Sequence, residues 1–504
     1  MAETPASSAA ESSPAAPRAG GLYRLLWRWH FYAGLLVWPF VLLLSLTGGL
    51  YLFHDTVDTW WHRDLLTVPE VSATPGSEMS PEHLLAAAQQ AVPGRLLHWN
   101  PPEAPGRSAR IDLLTPQGQR VWVYLDPADG RVLGQLPERG TLGWTLRHLH
   151  SLKIIGPWAR ALIEIAAGWT GLLVLSGLYL WWPRGRRQGV WSLRRWHPGQ
   201  RVFWRDLHAV GGAAVGGVLL FLALTGMPWS GVWGAWVNQW ANGANWGYPA
   251  GLRVQLPMSG QRLAEHAETN WSLTQARLPL SSPPGEHAAH LAGQAATQTA
   301  DDKHKNDNGD GDNTQPPQLG LDAIWRRVQA LHLAPGLSLS APAGPRGVWT
   351  ASVYPPDLDR QRVVHLDAYS GDVLLDMRWS DYGVAGRWME WGINVHLGQE
   401  WGWANRWGLL LVCAVVALLC LAAPLMWWWR RPAGQLGVPR LAGASPLYWR
   451  MLVWLLPACL LFPLAGGALL AVLLLDAGLL SWAEHRERHR ERQRVAPADP
   501  RGPH

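Results

Sequence analysis

Four long apolar runs most constrain what this chain can fold into. They cover residues 31–53, 162–182, 209–229 and 407–429. Each run is close to the ~20 residues that a helix needs to cross a hydrocarbon core of ~30 Å. The 35 tryptophans cluster at the ends of these runs, as in the aromatic belts at membrane–water interfaces. The sequence therefore predicts an integral membrane protein that is mainly α-helical.

A fifth apolar region follows the fourth run and covers residues 450–482. It is long for one upright span and short for two. Pro457, Pro463 and the adjacent Gly466 and Gly467 could divide it into two helices. The region is expected to form either a hydrophobic hairpin or one tilted fifth span.

Positive charge indicates how the runs are oriented. Seven arginines lie between the second and third runs, with Asp206 as the one acidic residue among them. Arginines also precede the first run and follow the fourth. Because cytoplasmic loops of membrane proteins are enriched in Lys and Arg, we expect these three places in the cytoplasm. Arginine runs can also bind nucleic acid, but between two membrane spans we expect no nucleic-acid partner.

The two halves of the chain share one pattern. The stretches "VWVYLDPADGRVLGQ" and "RVVHLDAYSGDVLLD" each predict a strand, a turn from Asp to Gly, and a second strand. The turns run from Asp126 to Gly130 and from Asp367 to Gly371. A helix-like segment precedes each stretch, at 81–91 and 321–331. Each half therefore reads as span, extracytoplasmic α+β module, span, repeated about a pseudo-two-fold axis along the membrane normal.

These patterns together divide the chain into predicted segments. In order they are a disordered cytoplasmic tail 1–20, a span 21–54, a first extracytoplasmic module 55–160, a span 161–183, an Arg-rich cytoplasmic loop 184–207, a span 208–230, a second module 231–404 with a disordered insertion 281–317, a span 405–430, a cytoplasmic loop 431–449, the C-terminal hydrophobic region 450–482 and a basic tail 483–504.

The motifs around the spans resemble those of the PepSY-associated transmembrane proteins, also called iron-regulated membrane proteins. The resemblance rests on "WRWHFYAG", "TGGLYLFHD", "RHLHSL", "GLYLWWPR", "RDLHAVGG", "LTGM" and "NVHLGQ", and on both turn-containing modules. That group includes inner-membrane ferric-siderophore reductases. The resemblance implies PepSY-like periplasmic modules, a bacterial inner membrane, b-type haem held by histidines, and electrons passed to an extracytoplasmic ferric chelate or siderophore.

Four histidines stand at matching positions in the two halves: His30 with His208, and His150 with His396. Histidine beside a span is a functional candidate, because polar groups in lipid are costly, although a single one is often just interfacial. Neutral imidazole binds iron well, and two imidazoles on one haem suit electron transfer. We expect one haem b between His30 and His208 on the cytoplasmic side and a second between His150 and His396 on the outer side. His148 and His54 are weaker alternative ligands.

Several cofactor motifs do not occur in the sequence. It contains no G-x-G-x-x-G after a strand, no P-loop, no C-x-x-C-H and no H-E-x-x-H. Any haem is therefore expected to be non-covalent, and the electron donor to be an unidentified cytoplasmic protein or a membrane quinol. The alternative hypothesis is a non-enzymatic membrane protein whose PepSY-like modules bind or regulate a periplasmic partner such as a peptidase.

Overall fold

The computed structural model describes residues 21–69, 78–183, 191–193, 197–244, 246–247, 256–283, 317–439 and 446–495. The predicted tail 1–20 and most of the insertion 281–317 lie outside these residues. Parts of the predicted loops 184–207 and 431–449 and of the tail 483–504 lie outside them too.

The described residues form both long apolar helices and short amphipathic ones. In chain order they are α1 (Gly21–Tyr51), α2 (His54–Trp61), α3 (Arg63–Leu66), α4 (Pro81–Ala91), α5 (Leu142–His150), α6 (Ala159–Trp181), α7 (Arg201–Gly226), α8 (Trp233–Gly243), α9 (Leu263–His266), α10 (Leu321–Ala330), α11 (Val384–His396), α12 (Gly402–Arg430), α13 (Pro446–Leu461) and α14 (Pro463–Val495).

Among the described residues, five helices are long and apolar enough to cross a membrane. They are α1, α6, α7 with the 3-10 turn that extends it to Trp229, α12, and α14 as far as Arg490. The first four contain the four apolar runs of the sequence. Helix α7 begins at Arg201, inside the predicted loop 184–207, because the polar residues before the apolar run continue the helix. The chain is thus a multi-pass membrane protein.

The chain divides into two compact units. The first contains Met1–Trp38, Trp169–Gly217 and Leu419–His504, and the second contains Pro39–Gly168 and Val218–Leu418. Both units therefore draw residues from each half of the sequence.

An antiparallel sheet of eight strands dominates the second unit. Its strands run in the spatial order β10-β9-β8-β7-β1-β2-β3-β4. The seam between the two modules is the pair β1–β7, where Trp99 lies opposite Leu339. The sequence indicated two separate modules, and it contains no signal for this pairing across more than two hundred residues. The strands are β1 (Arg95–Asn100), β2 (Ala109–Leu114), β3 (Arg120–Leu125), β4 (Val132–Pro137), β7 (Ser338–Ser340), β8 (Trp349–Val353), β9 (Arg362–Leu366) and β10 (Val373–Arg378); β5 (Met258–Arg262) and β6 (Arg277–Pro279) form a separate pair.

The two Asp-to-Gly turns of the sequence join β3 to β4 and β9 to β10. The Asp126 side chain accepts a hydrogen bond from the Ala128 amide, and Asp367 accepts one from the amide of Tyr369. Gly130 and Gly371 both have φ of 73°, a left-handed conformation that glycine adopts without steric cost. The predicted turn chemistry is confirmed at both places.

Helices α4 and α10 cover one face of the sheet. Leu84 and Ala88 of α4 and Ile324 and Val328 of α10 are buried in one core with apolar residues of β2, β3, β8 and β9. Ser80 caps α4 by accepting a hydrogen bond from the His83 amide, and Pro81 occupies its first turn, where an amide proton is not needed. Both modules therefore bury the same face of their strands.

The fifth apolar region forms a helical hairpin in the first unit. Helix α13 ends at Leu461 and α14 begins at Pro463. A β-carbon added at Gly466 would collide with the backbone of Cys459, so the two helices approach closely there. The region is thus two helices and not one tilted helix, and the second of them, α14, is itself long enough to be a fifth span.

We expect Gly466→Ala to destabilise the hairpin, because the added methyl has no space against the Cys459 backbone. Overpacking of this kind costs about 1–3 kcal/mol. Gly467→Ala is the matched control, since nothing lies within 4 Å of a β-carbon added there, and alanine favours a helix. Thermal unfolding in detergent would compare the two variants. Equal stabilities would contradict the close helix contact.

Candidate functional site

His30 of α1 and His208 of α7 face each other in the first unit. Their ring centroids lie 6.4 Å apart and the rings are nearly perpendicular, at 86°. The residues come from helices far apart in sequence, so the folding of the apolar helices brings them together. The sequence predicted this pair from its matching positions.

A hydroxyl and a glycine on helix α6 hold the His30 ring. Its Nδ1 lies 2.9 Å from the Ser176 hydroxyl oxygen. A β-carbon added at the next residue, Gly177, would lie 3.2 Å from the Cε1 atom of His30. We call this hydroxyl–glycine pair an imidazole seat. The sequence gave no signal for Ser176, because a serine in an apolar helix is unremarkable by itself.

The same arrangement holds His150 and His396 in the second unit. His150 Nδ1 lies 2.9 Å from the Thr47 hydroxyl, and His396 Nδ1 lies 2.9 Å from that of Thr225. The glycines that follow the two threonines lie against the Cε1 atoms: β-carbons added at Gly48 and Gly226 would be 3.2 and 3.4 Å away. The Thr-Gly pairs in the sequence are thus seats for the histidines that precede the second and fourth spans.

The hydroxyls also fix which nitrogen of each imidazole carries the proton. Ser176, Thr47 and Thr225 donate their own protons to helix carbonyls four residues earlier, at 2.5, 2.6 and 2.8 Å. With the hydroxyl hydrogen on the carbonyl, the hydroxyl oxygen accepts from the imidazole, and Nδ1 is then the protonated nitrogen. The Nε2 lone pair of all three histidines is left available to bind a metal.

His208 differs from the other three histidines. Its buried Nδ1 has no hydroxyl partner among the described residues, and the nearby hydrogen-bonding group is the backbone carbonyl of Leu419. Ser176 follows His150 in the first half by the same number of residues as Ala422 follows His396 in the second half. The residue that corresponds to Ser176 is therefore an alanine, which has no hydroxyl. The His30–His208 pair therefore has one imidazole with a seat and one without.

The geometry of the His30–His208 pair suits an iron porphyrin. Two imidazoles that bind one metal atom from opposite sides, each through a bond of about 2 Å, have ring centroids roughly 6 Å apart. The 6.4 Å separation of His30 and His208 agrees with this value. A ligating histidine normally donates its other ring N–H to a second group, as the three seated histidines do. Among the described residues, no group of three or more His, Cys, Asp or Glu is placed to hold a bare metal ion.

The two weaker candidates, His54 and His148, have other neighbours. His54 stacks on Tyr51 at 4.5 Å and its Nδ1 lies 3.0 Å from an Asp55 carboxylate oxygen. His148 lies beside Trp144, with ring centroids 5.9 Å apart. Neither is placed in a hydroxyl–glycine seat.

His54 instead lines a cavity of about 320 Å³ in the second unit. Arginines, carboxylates and aromatic rings form its wall, among them Arg147, Glu268 and Trp122. Arg147 and Trp144 belong to α5, the helix that ends at His150. Asp58 joins α2 to α5 by accepting a hydrogen bond from the Gly143 amide at 2.7 Å. The lining residues come from many separate segments, so sequence patterns could not reveal the cavity.

The corresponding face of the second module is filled. Val363 lies four residues before Asp367, and the cavity residue Trp122 likewise lies four residues before Asp126. Val363 and Trp122 therefore occupy matching positions in the two modules. Val363 packs against Leu263, Leu273 and Leu278 in an apolar core. The segment 256–283 thus covers this half of the sheet and leaves the first module with an open polar cavity.

Burial keeps the seated histidines of the second unit neutral. It lowers the pKa of His150 from 6.5 to about 4. The pKa of His396 falls to about 3, first through burial and then through the nearby charge of His150. Both are uncharged at neutral pH, which is the form that binds metals.

We expect the second unit to lose stability as the pH falls from about 6.5 towards 4. The unfolded imidazoles take up protons over this range and the folded ones do not, so protonation favours unfolding. Thermal unfolding in detergent at pH 7, 5.5 and 4.5 measures the effect. The double variant His150→Gln/His396→Gln should show a smaller decrease, and an unchanged decrease would contradict the assignment.

Comparison with known proteins adds one finding to this geometry. The family described as the PepSY-associated TM region matches residues 27–431, which include all four paired histidines and both halves of the sheet. A comparison with curated proteins gave no match. Because the match covers most of the sequence, the chain is a member of the PepSY-associated transmembrane family.

Proposed function

We propose that the chain is a haem-containing membrane oxidoreductase that carries electrons across the bacterial inner membrane and reduces a ferric chelate on the periplasmic side. The observation that carries this proposal is the set of imidazole seats. Three part-buried histidines each place Nδ1 2.9 Å from a hydroxyl oxygen that is already bonded to a helix carbonyl, which leaves Nε2 for a metal. That is the arrangement a haem ligand requires.

Two haems b fit the proposal, one in each compact unit. His30 and His208 would hold the first, and His150 and His396 the second. Each pair takes one histidine from each half of the sequence. Both halves also have the order helix, then four antiparallel strands, from α4 to β4 and from α10 to β10. A repeat about an axis along the membrane normal would explain both facts.

The protein residues have defined tasks in this mechanism. Bound haem iron supplies the one-electron chemistry, and bis-histidine ligation suits transfer of electrons. The seats would orient the imidazoles, and burial keeps those of the second unit neutral. Apolar helices around the His30–His208 pair would exclude water. Less solvent would then have to reorganise when the charge of a bound iron changes.

The ferric chelate would bind in the cavity beside α5. Arg147 points into it three residues before His150, so a bound chelate lies close to the second haem site. One electron converts the ferric ion to ferrous, which oxygen-rich chelators hold less tightly, and iron can leave. The arginine-rich segments between and after the spans would lie in the cytoplasm, where a donor protein or membrane quinol delivers electrons.

The first test is the haem content and the pairing of its ligands. We expect a pyridine haemochrome assay to give two haems b per chain, with one lost in His30→Ala and the same one lost in His208→Ala. His150→Ala and His396→Ala should lose the other. His54→Ala and His148→Ala are controls that should keep both. A colourless wild-type protein would exclude the reductase and favour a module that binds a periplasmic partner.

The second test concerns the cavity. We expect Arg147→Gln to raise the KM for an external ferric chelate about tenfold or more, the effect of losing a charged hydrogen-bond donor, with haem content and kcat unchanged. Arg139→Gln is the matched control, because Arg139 contacts the same Trp144 ring at 5.2 Å and does not line the cavity. Equal KM values for both variants would place chelate binding elsewhere.

A further inference from the structure

A buried carboxylate of the C-terminal hairpin binds the helix that carries His30. Asp476 of α14 is 2% exposed and Arg28 of α1 is 7% exposed. The Arg28 Nε donates to Asp476 at 2.8 Å, and a second guanidinium nitrogen bonds to the other carboxylate oxygen. Tyr32 donates to the same carboxylate at 2.6 Å. Charges buried among spanning helices are costly unless paired, so this pair needs a reason.

The partners of Asp476 flank His30 on α1. Arg28 lies two residues before it and Tyr32 two residues after it, so both project about 200° around the helix from His30. The face towards the hairpin is otherwise apolar: Trp29 packs edge-on against Tyr448, with ring centroids 5.9 Å apart. Leu25, Leu473 and Ala477 complete this contact. The hairpin thus holds the back of α1 while His30 faces Ser176 and His208 on its front.

The helix that carries His208 has a residue of opposite charge at the matching position. The residue two before His208 is Asp206, and Arg205 bonds to its carboxylate at 2.9 Å. Asp476 also lies beyond residues 27–431, the part of the chain that matches the family. The carboxylate is thus an addition to the region that defines the family.

We propose that Asp476 is a positioning residue for the haem held by His30 and His208. Its bonds to Arg28 and Tyr32 set the rotation and depth of α1 and hence the orientation of the His30 ring. Its charge also neutralises Arg28, which would otherwise favour the reduced iron. This inference rests on the proposed function, because it assumes that the pair binds haem.

The test uses the purified full-length chain with His150→Ala, so that only the His30–His208 haem remains. In that protein we expect Asp476→Asn to shift the haem midpoint potential upward and to change the ferric electron paramagnetic resonance signal. Asp476→Glu should restore both values towards those of the parent. Asp367→Asn, which alters a buried carboxylate in a turn of the second unit, should change neither.

A folded Asp476→Asn protein with an unchanged potential and an unchanged resonance signal overturns the inference. Should that variant not fold, Arg28→Met/Asp476→Leu removes both charges and leaves an apolar contact. We expect it to keep the potential near that of the parent but to alter the resonance signal, and an unaltered signal also overturns the inference. If the wild-type protein contains no haem, the proposed function itself fails. If haem is bound and its potential and resonance signal do not change, only the inference about Asp476 fails.

Discussion

The organisation of the candidate site depends on one hydrogen-bond chain: imidazole Nδ1 to hydroxyl, and hydroxyl to a helix carbonyl. The carbonyl accepts a hydrogen bond from the hydroxyl, so the hydroxyl oxygen accepts one from the imidazole. The result is a defined tautomer without any charged group beside the ring. In an apolar environment this matters, because a carboxylate in the same place would carry a large desolvation cost. Serine and threonine perform the task with a side chain that the helix already tolerates.

The departure from this rule at His208 is informative. Under the proposed function, the His30–His208 haem would have one ligand beside a hydroxyl and one beside a backbone carbonyl alone. The His150–His396 haem would have two ligands beside hydroxyls. The hairpin contact at Arg28 adds a second asymmetry to the same pair. The first unit thus contains two differences between the surroundings of its paired histidines.

The sequence predicted some of this structure well. Apolar length located the spans, since a membrane requires about twenty residues, and the Asp-to-Gly turns followed from local backbone chemistry that needs no tertiary partner. The sequence missed the pairing of β1 with β7, because strand pairing depends on contacts across the whole chain. It missed Ser176 and the cavity for the same reason. Arg28 was interpreted only as one of the arginines before the first span that indicate the cytoplasmic side. Its bond to Asp476 was not foreseen because the partner lies at the far end of the chain.

The seam between β1 and β7 restricts how the protein can move. Membrane transporters built from related halves work by rocking one half against the other around a central site. Here the two modules share backbone hydrogen bonds, and Trp99 and Leu339 at the seam are both buried. Rocking would break that ladder and expose strand edges that readily aggregate. The shared ladder therefore favours a second unit that keeps fixed distances between its residues. Under the proposed function, such a unit would hold the groups that exchange electrons at a constant separation.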